Sequence, residues 1–527
     1  MKRFPFPAEV GFPWVQNGSC DPYMPVTQPC ELGNYASYSI NVTREEDVVA
    51  GIRFARENDV RLSIKNTGHD YLGKSTGKGS LSLWTQNLKA IEVMDNYSSP
   101  YYTGPAIKLG AGVLAVEAYL AAHERGYRVV GGTCATVGVA GGYSQGGGHS
   151  TLSSAYGLAA DNVLAWEAVL PATGERVVAT PDGPHADLYW ALSGGGGGTF
   201  AVVLGMTARL HRDGPVGGAT LWFDDSGILD GDSINGDRNS SNSSSSSSRN
   251  DVFWDAVGAV HAALPPLLAR GVSALYSITD RTFNLFSLTA TDRDGAQVAA
   301  LLRATLLPEL ERRGVPFAFE AHQSPGFLAH FARDLGPLPY GLFSTGQVTG
   351  SRLIPRAVVG GPAVTGALRN VTAAAAAGDF FVACQALDVS GGGDSFLPRV
   401  ADNAVLPAWR DAATHCIVVG PWDYGGGGDA EGLAVARARM EAKQRQLADV
   451  FTPMLEAATP GSGTYLNEAN FQQRNFQEHF YGANYERLLR VKRKYDPEGI
   501  LYAVTGVGSE MFEEDAEGRL CRTVEER

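Results

Sequence analysis

Glycine placement constrains this chain more than any other feature. Its 64 glycines are about 12% of 527 residues, against an average near 7%. They crowd into 131–148, 194–198, 391–393 and 425–428. Collagen-like or linker chains spread their glycines, whereas local clusters mark ordered turns in which backbone approaches a ligand closely. Two glycine-bearing turns also carry a nucleophilic side chain: Asn66-Thr67-Gly68-His69-Asp70-Tyr71 and Gly131-Gly132-Thr133-Cys134-Ala135-Thr136-Val137-Gly138. With steric cover removed, His69 and Cys134 are candidates to bond or ligate something flat and bulky.

The length predicts two domains, because single cores stop growing at roughly 250–300 residues. A net charge of -13 leaves no basic stripe, which argues against nucleic acid or an anionic membrane surface as partner. No apolar run of about 18 residues predicts a membrane span. Cys20, Cys30, Cys134, Cys384, Cys416 and Cys521 include no CxxC pair, so no metal site is expected. Cys20 and Cys30 flank a proline-rich loop and suit a small disulfide. Asn-x-Ser/Thr sequons begin at Asn17, Asn41, Asn96, Asn239, Asn242 and Asn370. Together with the cysteine pair they favour a secretory, oxidising compartment. The opening Met1-Lys2-Arg3-Phe4-Pro5 has no apolar signal region, so the chain reads as processed, or else as not secreted.

Periodicity predicts an amphipathic helix over 46–59 and a strand over 61–65, then the His69 turn. A second helix–strand unit, 114–125 and 127–130, leads into the Cys134 turn. Both nucleophiles thus sit in loops leaving strands, where ligand loops gather. Apolar, β-branched runs at 163–170 and 200–210 read as central strands. Residues 224–251, with their serine run at 240–248, are too polar to bury a core and read as a flexible insertion. Helices over 254–269 and 296–313, with strands over 273–278, 283–290 and 413–420, predict a second α+β domain. The stretch 465–508 is expected to return to the first.

Ser193 to Phe200 contains a GxGxxG-like match, but a strand-like run follows instead of a helix and no Walker lysine is present. A Rossmann site is therefore not expected, while backbone N–H groups approaching a pyrophosphate remain open. On residue type alone, His69 is as readily a turn histidine capped by Asp70, and Cys134 a small buried hydrophobe.

The joint context resembles a family. The stretches Ile64–Thr76 and Gly131–His149 are similar to the histidine and cysteine loops of berberine-bridge-enzyme-like FAD-linked oxidases. These belong to the vanillyl-alcohol-oxidase superfamily, and the likeness is to its fungal branch. Asp187–Gly195, Tyr465-Leu466-Asn467-Glu468, Tyr481–Leu488 and Lys494-Tyr495-Asp496-Pro497 resemble further family motifs in order and spacing. The resemblance implies an α+β, two-domain PCMH-type FAD-binding fold. Its flavin domain would be discontinuous (1–212 and 462–527), with an antiparallel α+β substrate domain at 213–461. It implies one FAD bonded twice, through His69 to the 8α-methyl and through Cys134 to C6. Lys65, Asn66, Thr67, Gly68, Asp70, Tyr71, Ser75, Gly131, Gly132, Thr133, Val137, Gly138, Gly141, Gly142, Ser144, Gly147, Gly148, His149, Val202 and Asn467 would bind the cofactor, with Asn484 at its pyrimidine edge. Val137 resembles the oxidase state, in which dioxygen reaches the ring, rather than a dehydrogenase state.

Many relatives carry Tyr-x-Asn-Tyr where this chain has Tyr465-Leu466-Asn467-Glu468, so the candidates for proton abstraction are Tyr465, Glu468 and His415. The implied activity is oxidation of an alcohol-type small molecule, sugar, aromatic or secondary metabolite, by a monomer that returns electrons to dioxygen as peroxide. A dehydrogenase with another acceptor, an oxidative cyclase and a non-catalytic flavoprotein are the competing readings. A thiol hydrolase built on Cys134 stands further off.

Overall fold

The computed structural model describes residues 29, 32–228, 248–339, 347–373, 379–392, 396–397, 400–421, 430–515 and 519–523. Cys20–Cys30 and the serine run up to residue 247 lie outside them.

The first unit begins with three parallel strands, ordered Tyr38–Asn41, Leu81–Trp84, Leu62–Lys65. The helix Glu45–Glu57 covers them. Its first turn is acidic, which suits the positive end of the helix dipole, and Asp47 accepts from Thr43 N (2.9 Å) and Arg44 N (3.2 Å). Val48, Ile52 and Ala55 bury its inner face. Gly51 lets it sit close, since a Cβ there would fall 2.5 Å from Leu83 Cδ2. A five-stranded antiparallel sheet follows, ordered Ile91–Ser99, Tyr102–Gly110, Val202–Arg209, Val163–Val169, Arg176–Ala179. Helix Ala115–His123 and the short strand Tyr127–Arg128 lead to the cysteine loop.

The second unit is a seven-stranded antiparallel sheet. Its order is Ala318–Ser324, Val216–Asp224, Thr282–Thr291, Val272–Ile278, Phe381–Ala386, Ala412–Pro421, Gln347–Pro355. Helices Arg249–Leu268, Gly295–Thr305 and Pro362–Ala373 supply apolar side chains to the core on one face. On Ala412–Pro421, Cys416 and Val418 point into that core. His415 takes the opposite face, as strand alternation requires. One core joins residues between 71 and 216 with residues between 466 and 507, and a second joins residues between 219 and 458. No helix among the described residues is long and apolar enough to cross a membrane.

Several expectations are corrected. The helix expected over 296–313 is two, Gly295–Thr305 and Leu307–Arg312, because Pro308 opens a new first turn. The strand expected over 127–130 pairs only at Tyr127–Arg128. The polar segment 224–251 is ordered at both ends. Asp225 and Ile228 are buried, and Ser248 caps the helix Arg249–Leu268 by accepting from Asp251 N. A disulfide joins Cys384 and Cys416, directly opposed on neighbouring strands; no spacing in the sequence signalled it.

Candidate active site

Four stretches converge on one open cleft: 66–75, 132–145, 197–203 and 465–468. The first is a tight turn. Gly68 has φ +87°, and Asp70 accepts from Leu72 N (3.0 Å) and Ser75 N (2.7 Å). Asn66 anchors it by donating to Thr85 Oγ1 (3.0 Å) and Ala111 O (2.7 Å). A Cβ at Gly138 would fall 2.1 Å from Asn66 Oδ1, so glycine there lets the two loops touch.

His69 and Cys134 meet across one hydroxyl. His69 Nε2 lies 2.8 Å from Thr136 Oγ1, and Cys134 Sγ lies 3.4 Å from the same oxygen. Burial pushes the His69 imidazole down to about 4, leaving it neutral. Burial pushes the Cys134 thiol up, against the opposing hydrogen bond of Thr136.

The C-terminal return supplies the ionisable wall. Both Glu468 oxygens lie 3.0 Å from His149 Nε2, and one is 3.3 Å from His415 Nδ1. Burial alone would raise the Glu468 carboxyl, but His149 and then His415 outweigh it and hold it below 4.5. Burial would lower His149, yet Glu468 lifts it above 6.5. Burial sends His415 down to about 3 despite the same carboxylate. The phenol of Tyr465 accepts from Gly148 N (3.2 Å) and Asn467 Nδ2 (2.8 Å). Burial and then Glu468 push it far above its usual value, so it stays protonated. Asn467 also donates to Gly142 O (2.9 Å) and Tyr143 O (3.2 Å), tying the return to the cysteine loop.

Of the residues named from sequence, the cleft gathers Asn66, Thr67, Gly68, His69, Asp70, Tyr71, Ser75, Gly132, Thr133, Cys134, Val137, Gly138, Gly141, Gly142, His149, Tyr465, Asn467 and Glu468. Others stand back from it. Ser144 donates to Val139 O within its own loop. Gly131 packs under Tyr119, and Gly147 lies nearest Val405. Gly148 acts through its N–H to Tyr465. Lys65 belongs to the parallel sheet. Val202 points into the small core beneath, while its neighbours Ala201 and Val203 line the cleft; a strand exposes alternate residues. Asn484 donates to Ala404 O and Val405 O and holds that loop instead. His415 stands behind Glu468. Lys74, Tyr143, Gln145, Gly197, Gly198 and Tyr502 also line the cleft and were missed, as was the bridging role of Thr136. The glycine run signalled 197 and 198; nothing local signalled Tyr502.

The lining suits a flavin dinucleotide. Asn66 Oδ1, Ser75 Oγ and Gln145 Oε1 are buried polar atoms without a protein partner. A Cβ at Gly142 would meet nothing within 4 Å, so that side of its backbone is open. A cleft walled by glycine backbone, with a neutral imidazole and a thiol at one hydroxyl, fits the flavin-dependent oxidoreductase that the resemblance implies.

Known proteins agree. Residues 36–180 match the model of an FAD binding domain, and 464–508 match that described as berberine and berberine like. A VAO-type flavoprotein oxidase of Thermothelomyces thermophilus is 49% identical over 512 residues, 96% of this chain and 82% of the relative. A bifunctional decalin synthase of Penicillium decumbens is 44% identical over 98% of this chain and 84% of its own. The crystal structure of a VAO-type flavoprotein from Myceliophthora thermophila C1 has a TM-score of 0.86 at 48% identity, covering 97% of this chain and 86% of that one. A glucooligosaccharide oxidase of Acremonium strictum, whose FAD is 6-S-cysteinyl and 8α-N1-histidyl, shares the fold (TM-score 0.68, 18% identity, 94% of this chain and 95% of that one). The chain belongs to the VAO-type family of FAD-linked oxidoreductases with a berberine-like C-terminal segment.

Proposed function

We propose that this protein oxidises an alcohol-type small molecule, holds its FAD by bonds to both His69 and Cys134, and passes the electrons to dioxygen. The observation that carries this is the approach of His69 Nε2 and Cys134 Sγ to the same Thr136 hydroxyl within the cleft. When bound, FAD supplies the two-electron acceptor for a substrate hydride. The chain's own residues handle the proton. Glu468 is held ionised and faces the cleft, so it takes the hydroxyl proton as the carbon gives up its hydride. Tyr465, a locked phenol, positions the substrate oxygen. His415 acts through Glu468 and does not reach the cleft. The balance is CH–OH plus dioxygen to C=O plus hydrogen peroxide, and the likeness of Val137 to the oxidase state supports dioxygen as the acceptor.

Acid precipitation and intact mass test the linkage. Wild-type protein should keep its flavin in the pellet, His69→Ala and Cys134→Ala should each retain it, and the double variant should release it. Free flavin from acid-treated wild-type protein would refute both bonds. Oxygen consumption with matching peroxide separates the oxidase from a dehydrogenase. The decalin synthase relative favours one second reading, in which the same hydride removal starts a cyclisation; product masses distinguish it. We also place the protein in the secretory pathway. Asn41, Asn96 and Asn370 are exposed, and the Cys384–Cys416 disulfide suits an oxidising compartment. A mass shift on glycosidase treatment tests that placement.

A further inference from the structure

Away from the cleft, the edge of the seven-stranded sheet carries a second buried histidine cluster. Strand register sets His322 beside Gly218 and Gly218 beside Thr289. Because Gly218 has no side chain, the His322 ring lies across it; a Cβ there would fall 2.2 Å from His322 Nε2. The helix Phe327–Asp334 lies over this face. It presents His330 and Asp334, four positions apart and so on one side. His322 Nε2 is 3.2 Å from one Asp334 oxygen, and His330 Nε2 is 3.6 Å from the other. One donor atom from each of the three lies within 4.8 Å of the others. Atoms held about 2.0–2.1 Å from a shared tetrahedral zinc ion stand a little over 3 Å apart, so the two histidine–Asp334 contacts are near that spacing and a small closure of the three donors would complete it.

His322 is 7% exposed, and its Nε2 makes no hydrogen bond; the contact with Asp334 falls outside hydrogen-bonding geometry. Leaving such an atom buried is costly unless something else satisfies it. Ser287 Oγ donates to Asp334 Oδ2 at 3.0 Å, the outer support that orients metal-binding carboxylates. Two features oppose a cation. Thr289 Oγ1 lies 2.9 Å from His330 Nε2 and must turn its proton away. The Arg333 guanidinium is 3.7 Å from Asp334, although Glu320 also engages it at 2.7 Å.

We propose that His322, His330 and Asp334 form a binding site for a divalent transition metal, zinc foremost. Two imidazoles and a carboxylate suit that borderline ion better than calcium or magnesium. The CxxC criterion missed the site because its ligands come from a strand and a helix. The metal would pin helix Phe327–Asp334 to the sheet edge. That helix packs Phe327 and Phe331 against Tyr119, with ring centroids 5.3 and 5.0 Å away, and Tyr119 donates to Gly132 O in the cysteine loop. Zinc bound here would therefore stiffen the support beneath Cys134.

The test uses untagged holoenzyme stripped with a chelator and titrated with zinc against a chromophoric chelator. One zinc per chain is expected. His322→Gln and His330→Gln should each weaken it by about a hundredfold or more, and Ser287→Ala by about tenfold. Arg333→Gln should tighten it severalfold. Glu468→Gln controls for the other cluster of possible ligands, His149, His415 and Glu468. Zinc lost in Glu468→Gln yet kept in both histidine variants overturns the proposal, as does zinc no tighter in wild-type protein than in those variants. If a histidine variant fails to fold, anomalous diffraction from wild-type crystals soaked in zinc decides. A peak between His322 Nε2 and Asp334 supports the site, and its absence overturns it.

Discussion

Replacing Glu468 with glutamine removes one charge and almost no volume, so it isolates what the carboxylate does. Its side chain is 19% exposed and lies 3.0 Å from His149 Nε2. The folded pKa of Glu468 is below 4.5. Its contribution to stability is therefore present above pH 4.5 and lost as pH falls through the folded value. The folded pKa of His149 is above 6.5. Its contribution is full below pH 6.5 and lost as pH rises through the folded value. Both are complete together only between pH 4.5 and 6.5.

Removing one partner of a buried pair costs about 3–5 kcal/mol while the other stays charged. His149 can escape by shedding its proton, which puts the expected loss at the low end, about 3 kcal/mol near pH 5.5. Once the pH has passed the folded pKa of His149, only a neutral hydrogen bond is lost, about 1 kcal/mol. Thermal melts of both holoenzymes at about pH 5.5 and pH 9 should show the larger drop in Tm at the lower pH. A drop of equal size at both would refute the ionic pairing. In the same variant kcat should fall by about 10²–10⁴-fold if Glu468 takes the substrate proton. An unchanged kcat would remove it from that role.

Two other substitutions probe the site's construction. Thr136→Val keeps both nucleophiles and deletes the hydroxyl between them. Covalent flavin incorporation, followed by the fraction released in acid, should slow about tenfold, the worth of one hydrogen bond; an unchanged rate would show that the hydroxyl does not organise the pair. Lys492 is buried and donates to Thr199 O (2.7 Å), Leu501 O (2.8 Å) and Asp496 Oδ2 (2.6 Å). Lys492→Met strands Asp496 and should cost about 3–5 kcal/mol, read as a lower melting temperature, and a melt within a degree or two of wild type would refute the buried pairing.

Local pattern made some of this molecule legible. Helix Glu45–Glu57 announced itself by spaced apolar residues, and the histidine turn by Gly68 and Asp70. What pattern could not supply was pairing. Cys384 and Cys416 meet because two strands align in one register, and nothing in either strand's composition fixes its partner. Val202 was named where Ala201 and Val203 face the cleft, since an apolar run hides which alternate residues point inward. Asn484 is a further case: a motif places an amide near a ligand but does not say that it will bond the Ala404 and Val405 carbonyls. Thr136 went unnoticed because its role is geometric. His322 and His330 come to one carboxylate only through the register at Gly218 and the packing of a helix, which no local pattern specifies.

The hydrogen bonds from Asn467 to the cysteine loop carry a consequence for how the protein is made. Cys134 leaves the ribosome 334 residues ahead of Glu468, and His69 399 residues ahead, and domains generally fold as they emerge. A nascent chain can shape its histidine and cysteine loops early but has no acid wall until the C-terminal stretch arrives. Cofactor capture in a complete cleft is thus a late event in biogenesis. A chain cut short before residue 464 would lack Tyr465, Asn467 and Glu468 and so expose an open, half-walled groove.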